Sequence, residues 1–139
     1  MSYFLGMALA FVVSVAAAVI GFDKDRAFYP TVLIVIASYY VLFAAMGATS
    51  TALLSEVPAA VLFMGLAVFG FKRNPWLLVL GLAAHGVFDR VHPALVTNPG
   101  VPVWWPDFCL AYDLTAAAYL ACRLRSTRRA GVASLGRGQ

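Results

Sequence analysis

Long apolar runs separated by short polar breaks dominate this chain of 139 residues. A helix needs about 20 apolar residues to cross the hydrocarbon of a bilayer. Five runs have this length, and they cover residues 3–22, 27–47, 51–71, 75–96 and 105–124. Because lipid offers no partner for backbone N–H and C=O groups, such runs span membranes as α-helices. The pattern therefore predicts an all-α integral membrane bundle of five transmembrane helices.

The breaks between the runs are short, which predicts an up-down topology in which neighbouring helices run antiparallel. Helix-boundary residues agree with this division, since Pro106 followed by Asp107 is a helix-start signal at the fifth run. The C-terminal residues are rich in Arg, Gly and Ser, a composition that disfavours a packed structure. We therefore predict a five-helix transmembrane domain at 1–125 and a flexible basic cytoplasmic tail at 126–139.

The composition supports a membrane protein and argues against a nucleic-acid-binding protein. Hydrophobic residues make up 63% of the chain and charged residues only 12%, whereas a soluble domain carries about 25% charged residues. Mean hydropathy is +0.86. The net charge of +4 does not indicate a nucleic-acid partner, because basic and aromatic residues are not interleaved as they are along a nucleic-acid groove.

The basic residues predict the orientation in the membrane. Apart from Arg90, every Lys and Arg lies in the first loop, in the third loop or near the C-terminus. With five spans these three segments share one side, which the positive-inside rule identifies as the cytoplasm. The N-terminus is then outside and the C-terminus inside. The expected location is the plasma membrane or a bacterial-type inner membrane.

The last three runs contain ionisable residues, which a bilayer tolerates poorly and which usually serve a function there. They are Glu56 in the third run, His85, Asp89, Arg90 and His92 in the fourth, and Asp107 and Asp113 in the fifth. A rise of about 1.5 Å per residue places them mostly in the outer half of the bilayer, with His85 near the midplane. Since His85, Asp89 and His92 follow at i, i+4 and i+7, they share one helix face.

Imidazole and carboxylate groups in a partly dry pocket favour acid–base chemistry at neutral pH. In this interpretation the catalytic residues are His85, Asp89, Asp113 and Glu56. The residues that contact the substrate are Tyr39, Tyr40, His92, Asp107 and Tyr112. The substrate is a membrane lipid or another hydrophobic small molecule that enters sideways. The protein is then a membrane-embedded enzyme, of isomerase or hydrolase type, or a binding protein of similar design.

A metal site is the first alternative. The N and O atoms of His85, Asp89 and His92 are suitable divalent-metal ligands, and Glu56, Asp107 or Asp113 would complete the shell. The sequence itself requires no cofactor, since it has no HExxH motif and no set of histidine boxes. A proton relay is the second alternative, because chains of carboxylates and histidines move protons in membranes. Either would make the chain a transport or accessory subunit.

Structural roles compete with all of these functions. Arg90 would then pair with Asp113 or Glu56 and fix the helix packing, and Asp107 would be a helix N-terminal charge. Assembly into a homo-oligomer or a larger membrane complex belongs to the same interpretation.

The segment from His85 to Pro93, followed by Trp104-Trp105-Pro106 and by Tyr112-Asp113, has the density of polar and aromatic residues that marks a motif. In layout the chain resembles the emopamil-binding sterol isomerases, which are five-span proteins with acidic and histidine residues in a membrane cavity. The chain is shorter than those proteins, and their motif residues have no counterparts matched one by one. The resemblance therefore concerns architecture alone.

Overall fold

The computed structural model describes residues 1–24, 26–47 and 50–135, with side chains described as far as residue 129. Within these residues the protein has five helices and no strand. The helices are α1 (Ser2–Ile20), α2 (Phe28–Gly47), α3 (Ser50–Lys72), α4 (Trp76–Leu95) and α5 (Trp105–Leu135). The predicted all-α fold and the number of helices are confirmed.

The helix ends follow from local chemistry. Gly21 ends α1 in the left-handed conformation, with a φ of 94° that glycine adopts without a Cβ clash. The Asn74 side chain accepts the Trp76 backbone N–H at 3.0 Å and so satisfies a free donor at the start of α4.

The fifth helix is longer than the sequence predicted. It continues to Leu135, so residues 126–135 are helical where the composition predicted a flexible tail. The remainder of the predicted tail, residues 136–139, lies outside the described residues. The division into a transmembrane domain and a cytoplasmic tail stays a prediction.

The order of the helices in space differs from their order in the chain. α5 packs between α4 and α1, and α4 also packs against α3 and α2. α1 and α5 run parallel, since Tyr3 contacts Asp107 at one end of the pair and Asp23 contacts Arg123 at the other. The short loop between α1 and α2 led us to expect that these helices pack together, but α1 packs against α5 instead.

Small residues explain this choice. The buried face of α1 consists of Gly6, Ala10, Ser14 and Ala17. A Cβ atom on Gly6 would collide with the backbone carbonyl of Phe108, so the two helix backbones approach closely. Such stripes of small residues allow helices to pack in lipid, where no hydrophobic effect drives them together.

The exposed surface of the bundle is apolar. Large hydrophobic side chains point outward from several helices, among them Phe4, Val19 and Phe69. The buried residues include Glu56 and Asp89 beside an apolar core, whereas a soluble protein seldom exposes so many large apolar side chains. Three helices, α1, α2 and α3, are long and apolar enough to cross a membrane.

The two ends of the bundle differ. One end, which we call the basic end, has a cleft of about 520 Å³ whose lining includes Lys24, Arg26, Arg123 and Arg128. The neighbouring half of the core is apolar and contains the fully buried Leu33, Ala67 and Leu82. The buried histidines and the carboxylates of Glu56, Asp89 and Asp113 lie in the other half, toward the loop between α4 and α5.

Candidate functional site

A histidine between two carboxylates forms the deepest polar group of the bundle. His85 Nδ1 on α4 lies 2.7 Å from Asp113 Oδ2 on α5, a hydrogen-bond distance. The same nitrogen lies 3.3 Å from Asp89 Oδ2, one helical turn further along α4. All three side chains are almost completely buried, with exposures of 1%, 0% and 0% for His85, Asp89 and Asp113. We call this group the His85 centre.

Gly86 lets α5 approach α4 closely enough to form the His85 centre. A Cβ atom at Gly86 would lie 3.2 Å from the Asp113 Cβ and 3.3 Å from the Leu110 backbone oxygen. Few real Cβ atoms have contacts this short, so a larger residue would push α5 away. The glycine beside His85 therefore sets the distance across which His85 and Asp113 meet.

A second pair lies nearer the end of α4. His92 Nε2 and Glu56 Oε1 are 2.8 Å apart and join α4 to α3. The Asn98 amide donates to the same Glu56 oxygen at 2.8 Å and to the Tyr40 backbone carbonyl at 3.2 Å. Asn98 was missed in the sequence, because an Asn before Pro-Gly is an ordinary turn residue there. Asn98 reaches Glu56 only because the loop between α4 and α5 folds back onto α2 and α3. We call this group the Glu56 pair.

Aromatic rings enclose and connect the two groups. The Tyr40 ring lies 4.0 Å from the His92 ring and 6.4 Å from the His85 ring, measured between centroids. Phe63 packs edge-on against His85 at 4.7 Å, and Phe88 lies 6.2 Å from it. The His85 centre therefore has an apolar aromatic wall, which strengthens electrostatic interactions inside it.

Several buried polar atoms of these groups have no hydrogen-bond partner among the described residues. They are His85 Nε2, both oxygens of Asp89, Asp113 Oδ1, Glu56 Oε2 and the Tyr40 hydroxyl. Buried polar groups are nearly always paired, so each unpaired atom requires an explanation. The site has unused capacity to bind protons, water or a cation.

The predicted catalytic residues thus form two groups. His85, Asp89 and Asp113 come together, whereas Glu56 pairs with His92. The predicted metal ligands His85, Asp89 and His92 do not form one group. The residues whose ligand atoms lie within 4.8 Å of one another are His85, Asp89 and Asp113. His92 belongs to the helix face that the spacing predicted, but it lies two turns from His85.

The predicted substrate-contacting residues have different surroundings. Tyr40 lies between the His85 centre and the Glu56 pair, and His92 is a member of the Glu56 pair. Tyr39 and Tyr112 line an apolar groove. Asp107 lies apart from both polar groups, in the first turn of α5, where it accepts a 2.6 Å hydrogen bond from the Tyr3 hydroxyl.

The alternative ion pairs of Arg90 are not formed. Among the described residues Asp113 pairs with His85 and Glu56 pairs with His92, and Arg90 is exposed. The structural alternative in which Arg90 neutralises one of these carboxylates is not observed, because Arg90 points away from the helix face that carries His85 and Asp89. Among the described side chains, no lysine or arginine forms an ion pair with the His85 centre.

A groove of about 830 Å³ opens between α1 and α2, with α5 as its floor. Its apolar lining includes Leu5 and Leu9 of α1, Val35 of α2 and Phe108 of α5. Cys109 also lines the groove and lies within electrostatic range of Asp89 and Asp113. The groove exists because α1 packs on α5 and leaves α2 uncovered, and its floor adjoins the His85 centre.

The fold and the site define the chain as a small helical bundle with an apolar surface and a buried histidine–carboxylate centre. Comparison with protein-family models, with curated protein sequences and with solved structures finds no match for it.

Proposed function

We propose that the protein is a five-span membrane protein that binds a hydrophobic, lipid-like molecule and transforms it by acid–base chemistry at the His85 centre. The topology has the N-terminus outside and the C-terminus in the cytoplasm, in a plasma or inner membrane. The apolar surface and the clustering of basic residues at one end support this arrangement. α4 and α5 are less apolar than the other helices because they carry the residues of the site.

One observation carries the functional proposal: an imidazole held within 2.7 and 3.3 Å of two buried carboxylates, behind the floor of a lipid-facing groove. A histidine oriented by a carboxylate is a general acid or base whose tautomer and ring position are fixed. Two carboxylates that share such an environment do not ionise equally, so one supplies and the other accepts a proton.

The groove supplies the binding site for the apolar part of the substrate. Its volume of about 830 Å³ lies within the range of typical small-molecule sites, about 300–1,000 Å³. Cys109 and Tyr112 line the groove and adjoin Asp113. Reaction requires the substrate to reach His85 past these two side chains.

Two variants separate binding from chemistry. Val35→Trp places a bulky ring in the groove and obstructs it, and His85→Gln removes the acid–base group without changing the groove. We expect His85→Gln to retain a co-purifying hydrophobic molecule and to lose its conversion by at least about 100-fold. Val35→Trp should lose both. Leu62→Trp is the matched control, because Leu62 is an exposed apolar residue of α3 outside the groove.

The measurement is native mass spectrometry of the protein in lipid nanodiscs, combined with lipid extracts from cells that express each variant. If the bound molecules and the lipid profile are the same for all three variants and for the original chain, the proposed function is wrong.

Proton transport across the membrane is less well supported than local proton exchange. Between His85 and the basic end, the described residues of the core are mainly apolar, with Leu33, Ala67 and Leu82 completely buried. The buried hydroxyls of Ser14 and Tyr29 lie in this half, but a relay would need a continuous chain of polar groups along it. Metal handling has a specific observation in its favour, which is the ligand geometry of the His85 centre.

A further inference from the structure

We infer that His85, Asp89 and Asp113 bind one divalent first-row cation, with Zn²⁺ as the expected ion. The inference concerns the same centre as the proposed function and adds a cofactor to it. It rests on four features of the described residues: the spacing of the ligand atoms, the charge of the centre, the unpaired buried groups and the polar side chains between the centre and the surface.

The spacing of the ligand atoms fits a small cation. One ligand atom from each of the three residues lies within 4.8 Å of the other two. Metal–ligand bonds of about 2.1 Å in a tetrahedron place neighbouring ligand atoms about 3.4 Å apart. The His85–Asp89 distance of 3.3 Å already agrees with this value. The His85–Asp113 distance of 2.7 Å must widen by about 0.7 Å, which small side-chain rotations provide.

The charge of the centre requires compensation. When both carboxylates are ionised and the imidazole is neutral, the centre carries two negative charges, and both carboxylates are completely buried. The ion pairs of the described residues bring no lysine or arginine to them. Burial of an uncompensated carboxylate is very unfavourable, so such groups pair with a cation, coordinate a metal or take up protons. One divalent cation makes the centre neutral.

The unpaired polar groups around the centre also favour a bound cation. Both oxygens of Asp89 are buried without a hydrogen bond, although one of them faces His85 Nδ1. Tyr40 comes from a different helix and is buried, and its hydroxyl is directed toward Asp89, the residue to which it can donate a hydrogen bond. Second-shell hydroxyls of this kind orient metal-bound carboxylates, and a metal-bound water would satisfy the Tyr40 hydroxyl as well.

The chemistry of the donors selects the class of metal. One imidazole nitrogen and two carboxylate oxygens suit Zn²⁺, Mn²⁺ or Fe²⁺ better than the soft Cu⁺ ion, which prefers sulfur ligands. Three protein ligands leave a fourth coordination position open for water or substrate, as in catalytic zinc sites. The same ion would make a bound water acidic enough to act in acid–base chemistry near neutral pH.

Polar side chains also lie between the centre and the surface. His92 and Asn98 line a depression of about 340 Å³ at the loop between α4 and α5. His92 and Asn98 both contact Glu56, and the Tyr40 ring lies close to the rings of His92 and His85. A cation that enters at this loop would first meet these imidazole and carboxylate groups, and the Tyr40 ring would have to move before the cation could reach the His85 centre.

The test measures metal content and metal-dependent stability. The protein is purified without chelators or a polyhistidine tag, and its metals are quantified by inductively coupled plasma mass spectrometry. We expect close to one zinc, manganese or iron ion per chain. Asp113→Asn and Asp89→Asn should bind the metal at least about tenfold more weakly. Asp107→Asn is the matched control on α5, since Asp107 lies outside the centre, and it should retain the metal.

Added Zn²⁺ supplies a second readout that does not depend on retention during purification. After treatment with a chelator, Zn²⁺ should raise the Tm of the original chain and of Asp107→Asn, but not that of Asp113→Asn. The inference is overturned if the original chain neither contains metal nor responds to Zn²⁺, Mn²⁺ or Fe²⁺. It is also overturned if His92→Gln loses the metal while Asp113→Asn retains it, because the ligands would then be different.

These results are distinguishable from failure of the proposed function. A chain without metal in which His85→Gln still abolishes lipid conversion excludes the metal and leaves the acid–base centre. A chain with metal whose lipid profile is unaffected by Val35→Trp excludes the lipid substrate and leaves the metal site.

Discussion

Asn98 shows how one loop residue organises a buried pair. Its amide donates to Glu56 and to the Tyr40 backbone carbonyl, and its side-chain oxygen accepts the Gly100 N–H at 3.2 Å. Glu56 thereby receives two hydrogen bonds on one oxygen, from Asn98 and from His92. Asn98 therefore joins the loop between α4 and α5 to both α2 and α3 by hydrogen bonds.

The Glu56 pair allows a prediction at this scale. His92→Leu and Glu56→Leu should each destabilise the bundle by about 1–3 kcal/mol, because each leaves a buried polar partner unsatisfied. The double variant removes both partners, so it should lose less than the sum by about 0.5 kcal/mol or more. The unfolding free energy is measured by denaturant titration in mixed micelles. Strictly additive losses would show that the pair does not couple α3 to α4.

Ser55→Ala is the control for this cycle. Ser55 precedes Glu56, but its hydroxyl is exposed and bonds to the Thr51 carbonyl of its own helix. Its replacement should change the unfolding free energy by no more than about 0.5 kcal/mol.

At the scale of helices, α1 depends mainly on α5. Among the described helices, α1 packs extensively against α5, through a face of small residues that includes Gly6. A Cβ at Gly6 meets backbone atoms of Phe108, which cannot rotate away as a side chain would. The α1–α5 distance is therefore fixed by the absence of one methyl group.

Gly6→Ala should destabilise the α1–α5 pair by about 1–3 kcal/mol, since the added methyl overpacks a close contact. Gly65→Ala is the matched control, because a Cβ at Gly65 on α3 meets no atom within 4 Å. The two variants have the same chemistry and differ only in what the methyl group touches. Equal unfolding free energies would contradict the close approach of α1 and α5.

At the scale of the whole molecule, the bundle divides into two halves of different character. The half at the basic end has an apolar core, and the half toward the loop between α4 and α5 contains the His85 centre and the Glu56 pair. In the proposed orientation the polar half faces the extracytoplasmic side. Substrate or metal would then reach the site from outside.

Cysteine labelling tests this orientation. Val103→Cys in the loop between α4 and α5 and Ser126→Cys on α5 are both exposed positions, and each is introduced after Cys109→Ala and Cys122→Ala remove the native thiols. In spheroplasts, a membrane-impermeant maleimide should label the first variant at once and the second only after permeabilisation. The reverse pattern would overturn the orientation, and labelling of both positions from one side would overturn the five-span topology.

The sequence by itself determined the number and approximate bounds of the helices and the residue types of the site. This information is local: apolar length, boundary residues and the i, i+4 spacing of His85 and Asp89 are all readable along the chain. Helix rotation is not local. Only the tertiary structure decided that Asp113, rather than His92, completes the group around His85, since that choice depends on how α5 packs beside Gly86.

The same reason explains the two features that the sequence did not reveal. The groove arises because α1 packs on α5 and not on its chain neighbour α2, a preference decided by shape between small residues far apart in sequence. The role of Asn98 in binding Glu56 depends on a loop that folds back onto α2 and α3. A sequence pattern specifies which faces are apolar or polar, whereas close packing of all five helices specifies which faces meet.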